Sequence, residues 1–322
     1  MNADLSARSK SLSNLLDQEL RTPVSAAAIA MSDALRSRYG DAVLSILYYG
    51  SCFRTGTENE GIMDIFVIVD DYHNVYTNRA LAFANWLLPP NISYFEFEFE
   101  GTTIRSKYAL ISLEQFVQRA SPRCFHTFFW ARFAQPCTLT FVRDEAVRRR
   151  IVDTLACAIG TFTMRVLPLL PSHFDAEMLW TLGLSASYQT ELRPERPGAA
   201  AQLVKQNLAR YQAVTQMTAA LRPEFEAAAP ASGPPQYSAS ISKLRRWSAR
   251  QCWRIRRVQG KIINLARIMK ASFTFDGGVD YVLWKIERHS GIKVEATPML
   301  RRHPLLTCWP TVWRLYRAGA FR

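Results

Sequence analysis

The sequence predicts an α+β chain, with a mixed sheet and its helices first, a helical region next, and a basic amphipathic segment at the C-terminal end. Three observations carry that expectation. Two apolar runs, Val43 to Tyr49 and Met63 to Asp70, have the length of short buried strands, and the first ends at Gly50. Tyr94 to Glu100 alternates strictly, with Phe95, Phe97 and Phe99 on one face and Glu96, Glu98 and Glu100 on the other, as a half-buried strand does. From about residue 144 to 222 the apolar residues recur at helical spacing, interrupted by Pro168, Pro171, Pro194 and Pro197.

Taken in order, Thr22-Pro23 can open a helix that runs to about Tyr39, where Gly40 can take the left-handed conformation that ends it. The two apolar strands follow, then the alternating strand. A further strand near residues 107–111 leads into a helix starting at Ser112, a plausible cap with Gln115 at the third helical position. Residues 227–240 are rich in Ala, Pro and Ser and include Gly233-Pro234-Pro235, the composition of a linker. The expected organisation is a first domain over 1–143, a helical domain over 144–226, a linker over 227–240 and a basic Trp-rich segment over 241–322.

The 322 residues are 48% hydrophobic, ample for a core, which excludes disorder throughout. Charge is distributed unevenly. From Lys243 to Arg322 there are 18 basic and 4 acidic residues, a net of +14, so with +13 for the whole chain everything before Lys243 sums to −1. Trp247, Trp253, Trp284, Trp309 and Trp313 lie in the same segment. Six scattered cysteines without a CxxC spacing suit a reducing compartment. Asp4 and Asp17 in the polar opening argue against a transit peptide, and no unbroken apolar run has the length of a bilayer span. The five histidines form no zinc-like cluster.

The chemistry is concentrated at the two apolar strands. A glycine at the end of the first, Gly50, lets a phosphate approach the backbone, and the Ser51 hydroxyl can donate to it. Asp64, at the start of the second, supplies one carboxylate for a divalent cation held against a triphosphate. That pairing suggests a nucleotidyltransferase; a tight turn before any buried strand is the plainer alternative. Glu96 and Glu98 can complete the metal site if their strand lies beside Asp64, or they can be a solvated sheet face. Phe66 stands where such enzymes usually carry a second acid.

Five segments extend the pattern. Tyr49-Gly50-Ser51, Met63-Asp64-x-Phe66-x-x-Val69, Lys107-Tyr108-Ala109-Leu110-Ile111-Ser112, Trp130-Ala131-Arg132-Phe133-x-Gln135-Pro136 and Tyr188-Gln189-Thr190-Glu191-Leu192-Arg193 resemble, in order and approximate spacing, motifs of the mitochondrial-type phosphatidate cytidylyltransferases, the CDP-diacylglycerol synthases of the nucleotidyltransferase superfamily. The resemblance covers about residues 40–215; Cys52 departs from it, standing where that family usually has another glycine. It implies a nucleotidyltransferase domain followed by a helical one, an apolar residue at the second-acid position, and synthesis of CDP-diacylglycerol and pyrophosphate from CTP and phosphatidic acid with Mg2+ or another divalent cation. On that reading Asp64 and Lys107 are catalytic, and Tyr49, Gly50, Ser51 and Tyr108 hold the nucleotide. Tyr188, Glu191 and Arg193 bind phosphate or lipid, Glu191 holding Arg193 in position, and Asp64, Glu96 and Glu98 bind the metal. Arg132 is a further candidate. Solvated or packing roles are the alternative for Lys107, Arg193, Glu191, Tyr188 and Arg132.

The basic segment supplies a way to reach a lipid. Arg245, Arg246, Arg250, Arg254, Arg256, Arg257 and Lys261 interleave with Trp247, Trp253, Ile255 and Val258, the mixture of an interfacial helix. An ordinary amphipathic helix packed on its own domain is the alternative. The expected location is peripheral, on the cytoplasmic face of a bacterial inner membrane, or otherwise the matrix side of a mitochondrial inner membrane, with no nucleic-acid partner. Two other readings stand beside it: an RNA-acting nucleotidyltransferase or RNA-binding protein that uses the same basic segment on phosphates, and a silent module that keeps the fold.

Overall fold

The computed structural model describes residues 2–57, 61–192, 198–221, 225–228 and 235–274, with 297–299, 310 and 313. In chain order its elements begin with α1 (Asn2–Glu19), α2 (Ala26–Tyr39), β1 (Val43–Tyr49), α3 (Gly50–Thr55), β2 (Met63–Val69), α4 (Arg79–Leu87), β3 (Asn91–Phe99) and β4 (Thr102–Ser112). There follow α5 (Leu113–Ala120), α6 (Phe128–Arg132), β5 (Cys137–Val142), α7 (Glu145–Val166), β6 (His173–Asp175), α8 (Ala176–Tyr188), α9 (Ala199–Gln206), α10 (Leu208–Ala219), β7 (Phe225–Ala228), β8 (Gln236–Ala239) and α11 (Lys243–Thr274). The chain is α+β with a mixed sheet, as its sequence pattern indicates.

Two compact units result: one of residues Met1–Pro23 and Leu113–Leu265, the other of Val24–Ser112 and Ala266–Arg322. These are not the divisions expected at 143 and 226. In the second unit four strands run in the order β3-β4-β2-β1, with β2 and β4 parallel and the other neighbours antiparallel. β2 is buried on both faces at every position after Asp64, which explains its nearly unbroken apolar sequence. The β3–β4 hairpin turns on Glu100 and Gly101, both at positive φ (48° and 75°), the two-residue turn whose twist suits paired strands. Ser25 caps α2 by accepting from the Ala28 N–H at 3.1 Å, and Gly40, at φ 57°, stops it.

The first unit is built around α7. Asp144 caps it through the Val147 N–H at 2.8 Å, and Ile151, Leu155, Ile159 and Phe162 are buried along its length. Phe162 stacks on Trp180 at 4.7 Å between ring centres, and Tyr211 packs tilted against Trp180 at 4.5 Å. A Cβ on Gly183 would meet Val166 at 2.7 Å, so the glycine lets α8 cross α7 closely. Glu145–Leu169 is long and apolar enough, by length and composition, to cross a membrane, and 67% of its apolar window is buried within the protein. No unbroken apolar run announces it, because its few polar residues are spread among apolar ones.

The described part of the expected linker is strand: β7 and β8 pair antiparallel, and β8 pairs with β6. Tyr237 and Ala239 alternate into the interior, where Tyr237 meets Phe174 and Phe225, so a two-residue period lies inside the Ala- and Ser-rich composition.

Candidate functional site

Strand register assembles most of the expected residues of the second unit on one sheet face. Tyr49 of β1 lies opposite Asp64 of β2, Asp64 opposite Lys107 of β4, and Lys107 opposite Tyr94 of β3. Side chains in register share a face, so these four form a row across the sheet. Immediately after Tyr49 the chain turns at Gly50, with φ 90°, into the short helix α3. A Cβ built on Gly50 would stand 2.9 Å from both the Cβ and Cγ of Asp64 and closer still to its Oδ2. Gly50 therefore carries two constraints, a backbone conformation that side chains resist and direct contact with the carboxylate of Asp64.

Ser51 is exposed in the first turn of α3. Cys52 is buried, 3% exposed, and its thiol donates to the Ile62 carbonyl at 3.2 Å. It ties α3 to the start of β2. Phe66, which the sequence resemblance places at the second-acid position, is fully buried and packs on Tyr49 with 5.7 Å between ring centres. This aromatic contact supports the Tyr49 end of the row.

Three expectations change at this face. Tyr108 follows Lys107 and so points to the opposite face, where it is 1% exposed and shares a 2.7 Å hydrogen bond with the Tyr39 hydroxyl of α2. It is a packing residue. Burial, and then Tyr108, push the Tyr39 phenol well above its ordinary range. Glu96 lies two residues along β3 from the row and is occupied there: it accepts from the Tyr94 hydroxyl at 2.6 Å and pairs with Arg105 at 3.5 Å. Glu98 is a further step away and accepts from Thr103 at 2.5 Å. Among the described residues no group of three His, Cys, Asp or Glu stands together, so Asp64, Glu96 and Glu98 are not gathered into one ligand set. Of these three carboxylates, only Asp64 lies in the row with Tyr49 and Lys107.

In the first unit two of the sequence motifs meet. The Arg132 guanidinium donates to Glu191 at 3.3 Å and lies 4.6 Å over the Phe128 ring, and the Tyr188 hydroxyl donates to Gln135 at 3.4 Å. Thr190 and Thr127 share a buried 2.7 Å hydrogen bond. Glu191 thus positions Arg132; Arg193 lies outside the described residues. The pairing joins residues 59 apart in the chain, and nothing in the local sequence announces it.

The α11 segment up to Leu265 has two different faces. Trp253 and Arg256, each 2% exposed, and Gly260 turn inward. A Cβ on Gly260 would stand 2.9 Å from the Thr190 Cβ and closer still to the Thr190 carbonyl, so the helix rests directly on the turn that carries Glu191. Outward, Leu244, Trp247, Ile255, Val258, Ile262 and Leu265 are all more than half exposed. Lys243, Arg245, Arg250, Arg254, Arg257 and Lys261 are exposed among them, and α11 contains no acidic residue. Trp284 and Trp309 of the basic segment lie outside the described residues.

No family model matches the chain, and no curated protein matches its sequence.

Proposed function

We propose that this protein is a nucleotidyltransferase that transfers a cytidylyl group from CTP to phosphatidic acid or a close relative at an anionic membrane surface. The observation that carries the proposal is the packing of Gly50 against Asp64 at the end of β1, in one row with Tyr49 and Lys107. A carboxylate under a glycine turn, with a cation in the next strand, is an arrangement that can accept a metal-bound polyphosphate. In the transfer a phosphatidate oxygen forms a bond to the α-phosphorus of CTP as the bond to the β-phosphate oxygen breaks, releasing pyrophosphate. Mg2+ held at Asp64 would neutralise phosphate charge, and Lys107 would offset more of it. Phosphatidate is already an anionic nucleophile, so positioning rather than a strong base lowers the barrier.

The outward face of α11 supports the membrane part of this reading. Apolar side chains and Trp247 stand among cations with no acid in the helix, and each cation near an anionic leaflet contributes on the order of 1 kcal/mol. Two copies of the same face would set positive charge against positive charge, whereas an acidic lipid surface complements it. A peripheral location follows, on the cytoplasmic side of a bacterial inner membrane or the matrix side of a mitochondrial one.

Pyrophosphate release from CTP and Mg2+, with vesicles of phosphatidylcholine with or without phosphatidic acid, tests both parts. The expected result is release that requires phosphatidic acid and is abolished by Asp64→Ala. Release indifferent to lipid points instead to an RNA-acting enzyme, and no CTP binding at all points to a silent module. Ile255→Asn with Val258→Asn, on the exposed face, is expected to keep the fold and lose vesicle binding in flotation; retained binding removes α11 from the account.

A further inference from the structure

Arg256 is a buried cation with no carboxylate paired to it among the described residues. It sits on the inner face of α11 beneath the loop that joins α5 to α6, only 2% exposed, with its guanidinium 4.3 Å over the Phe125 ring and 5.2 Å over Trp253. Its Nε donates to the Phe125 carbonyl at 2.9 Å, but its Nη2 is buried with no hydrogen-bond partner among the described residues. Neutral carbonyls and ring faces satisfy part of a guanidinium's geometry, not its charge, and an uncompensated buried charge is among the most expensive features a fold can hold.

The charged group facing it is another cation. Arg165, at the end of α7, donates from Nη2 to the Pro122 carbonyl of the same loop at 2.7 Å, while its Nε is buried without a partner. The Arg165 carbonyl accepts from the Trp253 indole at 3.0 Å, so the backbone of α7 and the inner face of α11 are fixed to each other at this point. Burial, and then Arg165, pull the Arg256 guanidinium down to about 10, still charged at neutral pH. Two guanidiniums anchored on one loop, each with an unused buried N–H and with no acid paired to either among the described residues, are the donor half of an oxyanion site. Arg165 is only half-buried, which leaves approach from its side.

We propose that Arg165 and Arg256 form a binding site for a phosphate group, either free phosphate or the monoester headgroup of a lipid. The site uses neither Asp64 nor the sheet, so it stands independently of the transfer reaction. Its presence explains why evolution would tolerate two cations under one loop: the ligand supplies the missing negative charge, and by binding the folded state it stabilises the contact between α7, α11 and the loop.

Calorimetric titration of inorganic phosphate into the full chain, at constant ionic strength with chloride as the competing anion, tests this. A second arm measures binding to phosphatidylcholine vesicles with and without phosphatidic acid. Arg165→Gln, at a half-buried position, keeps the fold, and Arg256→Met adds the interior partner where circular dichroism shows it folded. Phosphate binding weakened about tenfold or more in Arg165→Gln supports a site for the free anion. Binding confined to phosphatidic acid vesicles, and reduced to the same degree by Arg165→Gln, supports a headgroup site. Equal binding by parent and Arg165→Gln in both arms, or none in either, overturns the proposal.

Discussion

Replacing Gly50 with Ala tests the closest contact of the candidate site with a change of one methyl group. The substitution meets two separate penalties. At φ 90° a residue with a Cβ is strained, costing roughly 1–2 kcal/mol. The added carbon would also stand 2.9 Å from the Cβ and Cγ of Asp64 and nearer to Oδ2, an overlap that a packed interior relieves only by shifting atoms, at about 1–3 kcal/mol. The sum, about 2–5 kcal/mol, corresponds to a fall in midpoint on the order of 10 °C for a domain of this size.

A double-mutant cycle separates the two penalties. Asp64→Gly removes every Asp64 side-chain atom that the new methyl would strike and leaves the backbone conformation at residue 50 unchanged. In that background Gly50→Ala should cost only the conformational part, roughly 1–2 kcal/mol, so the coupling between the sites equals the steric part, about 1–3 kcal/mol. Urea unfolding of the four proteins measures it. A Gly50→Ala protein within about 0.5 kcal/mol of the parent, or a coupling that small, would refute the packing of Gly50 on Asp64 and with it the basis for the proposed nucleotide site.

Three further outcomes are expected. Gly260→Ala gains up to about 1 kcal/mol of helix propensity but drives its Cβ into the Thr190 backbone, and the overlap prevails; equilibrium unfolding should show a net loss, with Trp253 fluorescence shifted toward the exposed value. Ser25→Ala removes the cap on α2 and should lower stability by about 1 kcal/mol in chemical denaturation; no change would mean that the Ala28 N–H finds another acceptor. Burial and Arg267 hold the Lys270 amine down to about 7, below its ordinary 10.5, so between those values the unfolded chain binds the extra proton and stability from this residue rises with pH. From pH 7 to 9 the parent should therefore gain stability relative to Lys270→Met, and a difference that stays flat or falls contradicts the burial of that amine, which lies within hydrogen-bond distance of Asn85 Oδ1, the Leu88 carbonyl and the Pro90 carbonyl.

The strands of the site were legible because their pattern is local. β1 and β2 match the apolar runs of the sequence, and the face alternation of β3 survives as half-buried phenylalanines and exposed glutamates. The same two-residue period could have assigned Tyr108: Lys107 and Tyr108 are neighbours in a strand, and only one of them can share a face with Asp64. What no local pattern contains is register. Arg105 opposite Glu96, and Lys107 opposite Asp64, depend on how far one strand slides past another, and that displacement decides whether a glutamate is a metal ligand or the partner of an arginine. The Arg132–Glu191 pair depends on tertiary contact between α6 and the end of α8, for which spacing along the chain offers no signal.

α11 shows why a charge pattern can conceal two roles. In sequence, Arg254, Arg256 and Arg257 read as one basic cluster, yet Arg254 and Arg257 are exposed while Arg256 is buried. A helix turns about 100° per residue, so a run of arginines wide enough to cover an outer face also places one against the interior. There a solvated cation becomes one that no carboxylate of the described residues compensates, held by Phe125 and Trp253 and facing Arg165. If the outer arginines served only solubility, a buried arginine at 256 would be a liability that an apolar residue of similar length removes. Phosphate added to the parent and to Arg256→Met distinguishes the two cases: a ligand site requires that phosphate stabilise the parent and leave the variant unchanged, whereas a packing accident leaves both insensitive, although in either case the variant gains stability without phosphate.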